Sequence, residues 1–99
     1  GLLPLDPQKI KTIAVIGPEG ELILIPDSLR PVFGSEENLP SSLLKFLISD
    51  ESISTGRIDD FLSGREPQER DRFSPILKSL EKTITDQDGN LIGLLFRTK

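Results

Sequence analysis

Ile13-Ala14-Val15-Ile16 and Leu22-Ile23-Leu24-Ile25 are two short apolar runs separated by Gly17-Pro18-Glu19-Gly20. Two β-leaning runs around a Gly/Pro turn predict a hairpin. Neither run alternates with polar residues, so both faces of this hairpin call for cover or a partner. Pro26 stops the second run. Asp27 or Ser28 is placed to cap a short helix from Leu29 to Phe33, with Pro31 in its first turn and Gly34 just past its end. Ser35 to Asn38 reads as loop or a weak single turn. After Pro40 the period becomes helical. Leu43, Phe46 and Leu47 stand at i, i+3, i+4, and Ile58, Phe61 and Leu62 repeat that spacing. Ser49 to Ser52 separates the two helices. Asp50 or Ser52 is placed to cap the second, and Ser63-Gly64 to end it.

Arg65 to Thr85 supports two readings. Phe73, Ile76, Leu77, Leu80 and Ile84 have helical spacing and predict a helix starting at Ser74-Pro75. The same residues fit two strands, about Gln68 to Phe73 and Leu77 to Thr85, turning at Ser74-Pro75. Local propensity favours the helix, because Lys, Leu and Glu are good helix formers. Beyond this stretch the pattern is plain. Two apolar runs between Lys82 and Phe96 flank Asp88-Gly89-Asn90, residues that tolerate φ > 0 in a hairpin turn. Leu91 to Phe96 is nearly all apolar, which predicts a strand with little of either face in water.

Composition narrows the chemistry. A chain of 99 residues makes one domain with one modest core. Phe is the only aromatic, with five copies, and there is no Cys, His, Met, Trp or Tyr. Without Cys there is no disulfide, thiolate nucleophile or zinc–thiolate site, and without His no imidazole base or haem ligand. No catalytic residue and no metal site is expected. Net charge is −4 with the basic residues scattered, which argues against nucleic acid, whose binding rests on phosphate neutralisation. No run approaches the roughly 20 apolar residues that span a bilayer. The lack of Cys fits a reducing compartment, so the expected location is cytoplasmic. The absent starting Met and leading Gly1 predict a segment cut from a longer protein.

Taken in order from Ile13 to Phe96, these pieces resemble the PAS domain family. Ile13 to Ile25 resembles its opening hairpin. Asp27 to Gly34 is similar to the short helix that follows, ending in a hydrophobic-Gly pair, Phe33-Gly34. Glu36-Glu37-Asn38-Leu39-Pro40 is similar to an E-E-x-L-x-G segment, with Pro40 where Gly is usual. Phe61-Leu62-Ser63-Gly64-Arg65-Glu66-Pro67 looks like the L-x-G-x-E-P that ends the longest helix. Asp86 to Gly93 is close to the D-x-x-G-x-hydrophobic-x-G hairpin before the last strand. The resemblance implies an α+β fold with a five-stranded antiparallel sheet and short helices packed on one face, in the order β-β-α-α-α-β-β-β. It thereby favours two strands between Gln68 and Thr85. It divides the chain into a leading segment, residues 1–9, and a single PAS-like domain, residues 10–99. It implies a sensory or regulatory module of a larger signalling protein, with a ligand-free interaction or dimerisation domain as the alternative. The D-hydrophobic-T motif after the last strand is absent. There is no Cys for a flavin adduct and no His for haem, so no cofactor is expected and only a non-covalent ligand has room. A second resemblance covers only Leu2 to Pro18, which looks like the start of the second domain of family 3 glycoside hydrolases and implies a glycosidase fragment.

In a PAS-like fold Phe46, Ile58, Phe61, Leu94 and Phe96 would converge between sheet and helices. They are the candidate apolar pocket, weighed against an ordinary core. Asp59 and Asp60 are adjacent, so on a helix they point about 100° apart and do not converge for acid–base work. Asp86, Asp88 and Asn90 have the spacing that opens a calcium loop, but Arg97 stands where its twelfth-position Glu belongs. Arg65, Glu66, Glu69, Arg70, Asp71 and Arg72 form a mixed-charge run, either partner-facing or simply solvated. Leu2, Leu3 and Leu5 are apolar without a local partner. A homodimer or a partner domain, docked through residues 1–9 and the outer sheet face, is the expected association.

Overall fold

The computed structural model describes residues 12–49 and 53–97. Within them lie strands β1, Thr12–Ile16, and β2, Leu22–Leu24; a 3-10 turn, Asp27–Leu29; and helices α1, Arg30–Phe33, α2, Ser41–Ile48, α3, Thr55–Ser63, and α4, Pro67–Ser79. Strands β3, Leu80–Thr85, and β4, Leu91–Phe96, follow. The fold is α+β, with a four-stranded antiparallel sheet in the order β2-β1-β4-β3.

The opening hairpin forms as its turn residues require. Gly20 sits at φ +87°, a conformation that costs an L-residue but not glycine. The Gly20 N–H donates to the Gly17 carbonyl at 3.0 Å, and Gly17 N–H to the Glu21 carbonyl at 2.8 Å. The free edge of β2 is partly covered. Leu22 N–H donates to the Glu37 carbonyl and Leu39 N–H to the Gly20 carbonyl, both at 2.8 Å. The stretch Ser35 to Asn38, expected as loop or a weak single turn, therefore lies against a sheet edge at Asn38, and Leu39 just after it is buried.

Three local expectations are corrected. Neither Asp27 nor Ser28 caps the first helical segment. Pro26 precedes the 3-10 turn and no side chain caps it or α1; Asp27 instead faces Arg30 at 3.9 Å in solvent. The cap of α3 is Ser54, whose Oγ accepts from the Arg57 N–H at 3.3 Å; Asp50 and Ser52 lie outside the described residues, as do residues 1–9. The larger correction is at Gln68 to Phe73, which is helix and not a third strand. Pro67 supplies a preset φ at the helix start, and Gln-Glu-Arg-Asp-Arg are acceptable formers behind it. Phe73, Ile76 and Leu77 are then buried on one side of α4. The helix begins well before Ser74-Pro75, runs through Pro75, and stops at Ser79, where β3 starts. The helical reading therefore held for Phe73 to Leu77 and the strand reading for Leu80 to Thr85. The described sheet has four strands, and the fifth has become part of α4.

The helices cover one face of the sheet. Ala14, Ile16, Leu80, Leu91, Leu94 and Phe96 are buried beneath Leu29, Phe33, Leu43, Leu47, Phe73 and Leu77. Phe33 meets Phe96 edge-on at 5.6 Å between ring centres. Each buried Leu, Ile or Phe among them contributes roughly 1.5–3 kcal/mol by leaving water, and Ala14 less.

Candidate functional site

The five residues expected to line a pocket come from α2, α3 and β4. Leu94 and Phe96 are fully buried and Ile58 nearly so. Phe46 and Phe61 are half-buried and stack at 4.3 Å between centres, and Phe61 continues to Phe73 at 6.1 Å. The structure thus brings Phe46 and Phe61 together and places the other three in the packed interior. Arg65 lies over the Phe61 ring at 5.0 Å.

The described concavity of greatest interest lies elsewhere. A groove of about 570 Å³ runs between the 3-10 turn, α1 and α4, at the sheet end where β1 begins and β4 finishes. Leu29, Val32, Pro31 and Pro75 form its apolar wall; Ser28, Ser79, Thr12 and Arg97 are its polar residues. Arg97 is held firmly. Its backbone N–H donates to the Ser79 carbonyl at 3.0 Å, and its two terminal guanidinium nitrogens donate to the Lys78 and Leu80 carbonyls at 3.1 and 3.0 Å. Among the described residues no carboxylate pairs with it. Sequence reasoning missed this groove because its residues come from four separated segments, and no spacing along the chain marks them as neighbours.

The outer sheet face is the second notable surface. Register puts Ile13 beside Leu95, Val15 between Leu24 and Gly93, and Ile84 next to Gly93. These residues share the side away from the helices. Ile13 is 44% exposed, Leu24 56% and Ile92 42%, with Ile92 standing at an irregularity in the β3–β4 ladder. Lys82 stands opposite Leu95 on this face, and Glu81 lies beside it at the other irregularity of the β3–β4 ladder. Among the described residues, then, the apolar pattern of both hairpins leaves an aliphatic surface that is partly in water, with Val15, Ile84 and Leu95 half-buried within it.

The acidic candidates do not form a reacting centre. Asp59 and Asp60 are exposed on α3, and among the described residues no cluster of three acidic side chains is arranged for a metal. Asp86 closes its own turn. Its Oδ1 accepts from the Asp88 and Asn90 N–H groups, each at 2.9 Å, and its Oδ2 accepts from the Asn90 side-chain amide at 3.2 Å. The Asn90 bonds, with smaller help from Asp88 and Gly89, hold the Asp86 carboxyl below its ordinary value. In the mixed-charge run, Arg72 pairs with Glu36 on a half-exposed surface, an arrangement of small net value.

These features define the class: an α+β domain with a four-stranded antiparallel sheet, a helical layer on one face and an aliphatic opposite face. No family model, curated protein or solved structure matches the chain. Among the described residues no helix is long and apolar enough to cross a membrane.

Proposed function

We propose that the domain is a non-catalytic, PAS-like regulatory module of a larger cytoplasmic signalling protein, and that it works by pairing its outer sheet face with that of a second copy. The aliphatic surface formed by Ile13, Val15, Leu24, Ile84, Ile92 and Leu95 carries this reading. The resemblance to PAS domains supplies the class of role. Two hairpins bracket a run of helices, as that family's order requires, and α4 departs from it by standing where a third strand is expected. A signal would change how the helices sit on the sheet, shifting the population between two packings, and the paired faces would transmit it.

A second copy fits because the face is largely aliphatic and matches itself, with Lys82 at its margin on the edge strand β3. Two such faces stack about 10 Å apart. Strand spacing and rise give a footprint of roughly 300 Å² a side, against about 800 Å² in a stable interface. The dimer formed by this face alone is therefore weak. Sedimentation of the chain from about 10 µM to about 1 mM should show a concentration-dependent monomer–dimer equilibrium. Ile13→Lys with Ile92→Lys, both at exposed positions, should leave the fold intact and abolish the dimer. A monomer throughout, or a dimer indifferent to both substitutions, refutes the proposal.

A further inference from the structure

We infer that the groove between α1 and α4 binds a small organic anion with an aliphatic body, such as a medium-chain carboxylate. The volume, about 570 Å³, is within the range of small-molecule clefts, which combine an apolar wall with a few fixed polar groups. Both parts are present. Leu29, Val32 and Pro75 offer the wall, and Ser28 and Ser79 offer hydroxyls, neither engaged by another described residue.

Arg97 decides the sign of the ligand's charge. Three bonds to the carbonyls of Lys78, Ser79 and Leu80 anchor it at the α4–β3 junction. Its guanidinium carries five N–H groups in a rigid fork, and the two carbonyl bonds leave the others free. Asp59 lines the neighbouring cleft with Arg97 but makes no ion pair with it, and an anchored guanidinium without a paired carboxylate among the described residues is prepared for an oxyanion, which it holds through charge-assisted bonds. The apolar wall beside it asks for a hydrocarbon tail on the same molecule. A neutral lipid would leave the guanidinium unmatched, and a bare inorganic anion would leave Leu29, Val32 and Pro75 uncovered. The site is separate from the outer sheet face and does not depend on dimerisation. Thr12 and Arg97 flank it at the start of β1 and just after β4, so an occupied groove would be felt at both places where the chain joins the sheet.

The test is an amide chemical-shift titration of the whole chain with sodium octanoate and, in parallel, 1-octanol. Octanoate should give saturable shifts at Leu29, Arg30 and Val32, at Ser79 and Leu80, and at Arg97, with affinity about tenfold above that of octanol. R97Q should erase the preference while leaving octanol binding in place, and R97K, which keeps the charge, should retain part of it. Val32→Trp, which fills the groove, should weaken both ligands; its thermal melt reports whether the fold survives. Equal binding of octanoate and octanol, an R97Q protein that still prefers octanoate, or shifts centred on Ile13 and Leu24 each overturn the assignment. The last result would still leave the sheet-face dimer standing, since sedimentation of the ligand-free protein judges that separately.

Discussion

Asp86 illustrates how one exposed side chain can specify a turn. Its carboxylate gathers two backbone N–H groups and one side-chain amide, while Gly89 takes φ +83°, which frees its neighbours from strain. Because these bonds favour the ionised form, the folded carboxyl titrates below the unfolded value near 3.8. The unfolded chain therefore binds its proton first as pH falls. The contribution of Asp86 is complete above the unfolded value and disappears as pH drops through the lower folded one. Asp86→Asn should lose this acid-dependent component, seen as a flatter dependence of melting temperature on pH below about 4. Hydrogen exchange at Asp88 and Asn90 should also quicken in Asp86→Ala. Gly20 makes a sterner demand. An added Cβ would sit 2.5 Å from Leu44 Cδ1 at a backbone angle that costs an L-residue roughly 1–2 kcal/mol. Gly20→Ala should be destabilised by at least that amount in urea titration.

At the scale of elements, α4 contains a conflict. Pro75 lies inside it, where a proline removes a hydrogen bond and crowds the preceding turn. The helix persists because Phe73, Ile76 and Leu77 are buried on its inner side. Pro75→Ala should therefore stabilise the domain, by about 1–3 kcal/mol, measured as a raised midpoint of denaturation. Ser54→Ala should act the other way on α3, by about 1 kcal/mol, through the lost cap. The same conflict explains what was legible in the chain. Both hairpins could be read from Gly17-Pro18-Glu19-Gly20 and Asp88-Gly89-Asn90, because turn chemistry is local. The middle helices could be read from the spacing of Leu43, Phe46, Leu47 and of Ile58, Phe61, Leu62. The join at Ser79–Leu80 could not, since Leu80 belongs to a helical apolar pattern and is claimed by the sheet only through its pairing with Phe96. Ser74-Pro75 reads as a helix start or as a turn because proline is a breaker by default, and the burial that carries α4 through it is tertiary. Of the candidate pocket residues, only Phe46 and Phe61 stack on one another, and no spacing along the chain separates them from Ile58, Leu94 and Phe96, which the core takes.

For the molecule as a whole, stability rests on a core of aliphatic and Phe side chains between one sheet face and the helices. Phe73 and Phe96 are fully buried and among the bulkiest parts of it. Phe73→Ala should cost about 3–5 kcal/mol in equilibrium unfolding, a large share of the 5–15 kcal/mol typical of a native domain. On the opposite face Ile13, Leu24 and Ile92 remain exposed, so among the described residues the core draws its apolar contacts from one side of the sheet. Thr12 and Phe96 are paired residues on the two central strands. Because those strands run in opposite directions, flanking chain attaches at neighbouring points of the same sheet end. A tensile load applied there would open the β1–β4 ladder rung by rung, like a zipper, and would never place its bonds in shear. Peeling breaks its hydrogen bonds one at a time, so at equal stability the domain would yield to a smaller force pulled at these two points than one whose ladder is loaded along its strands.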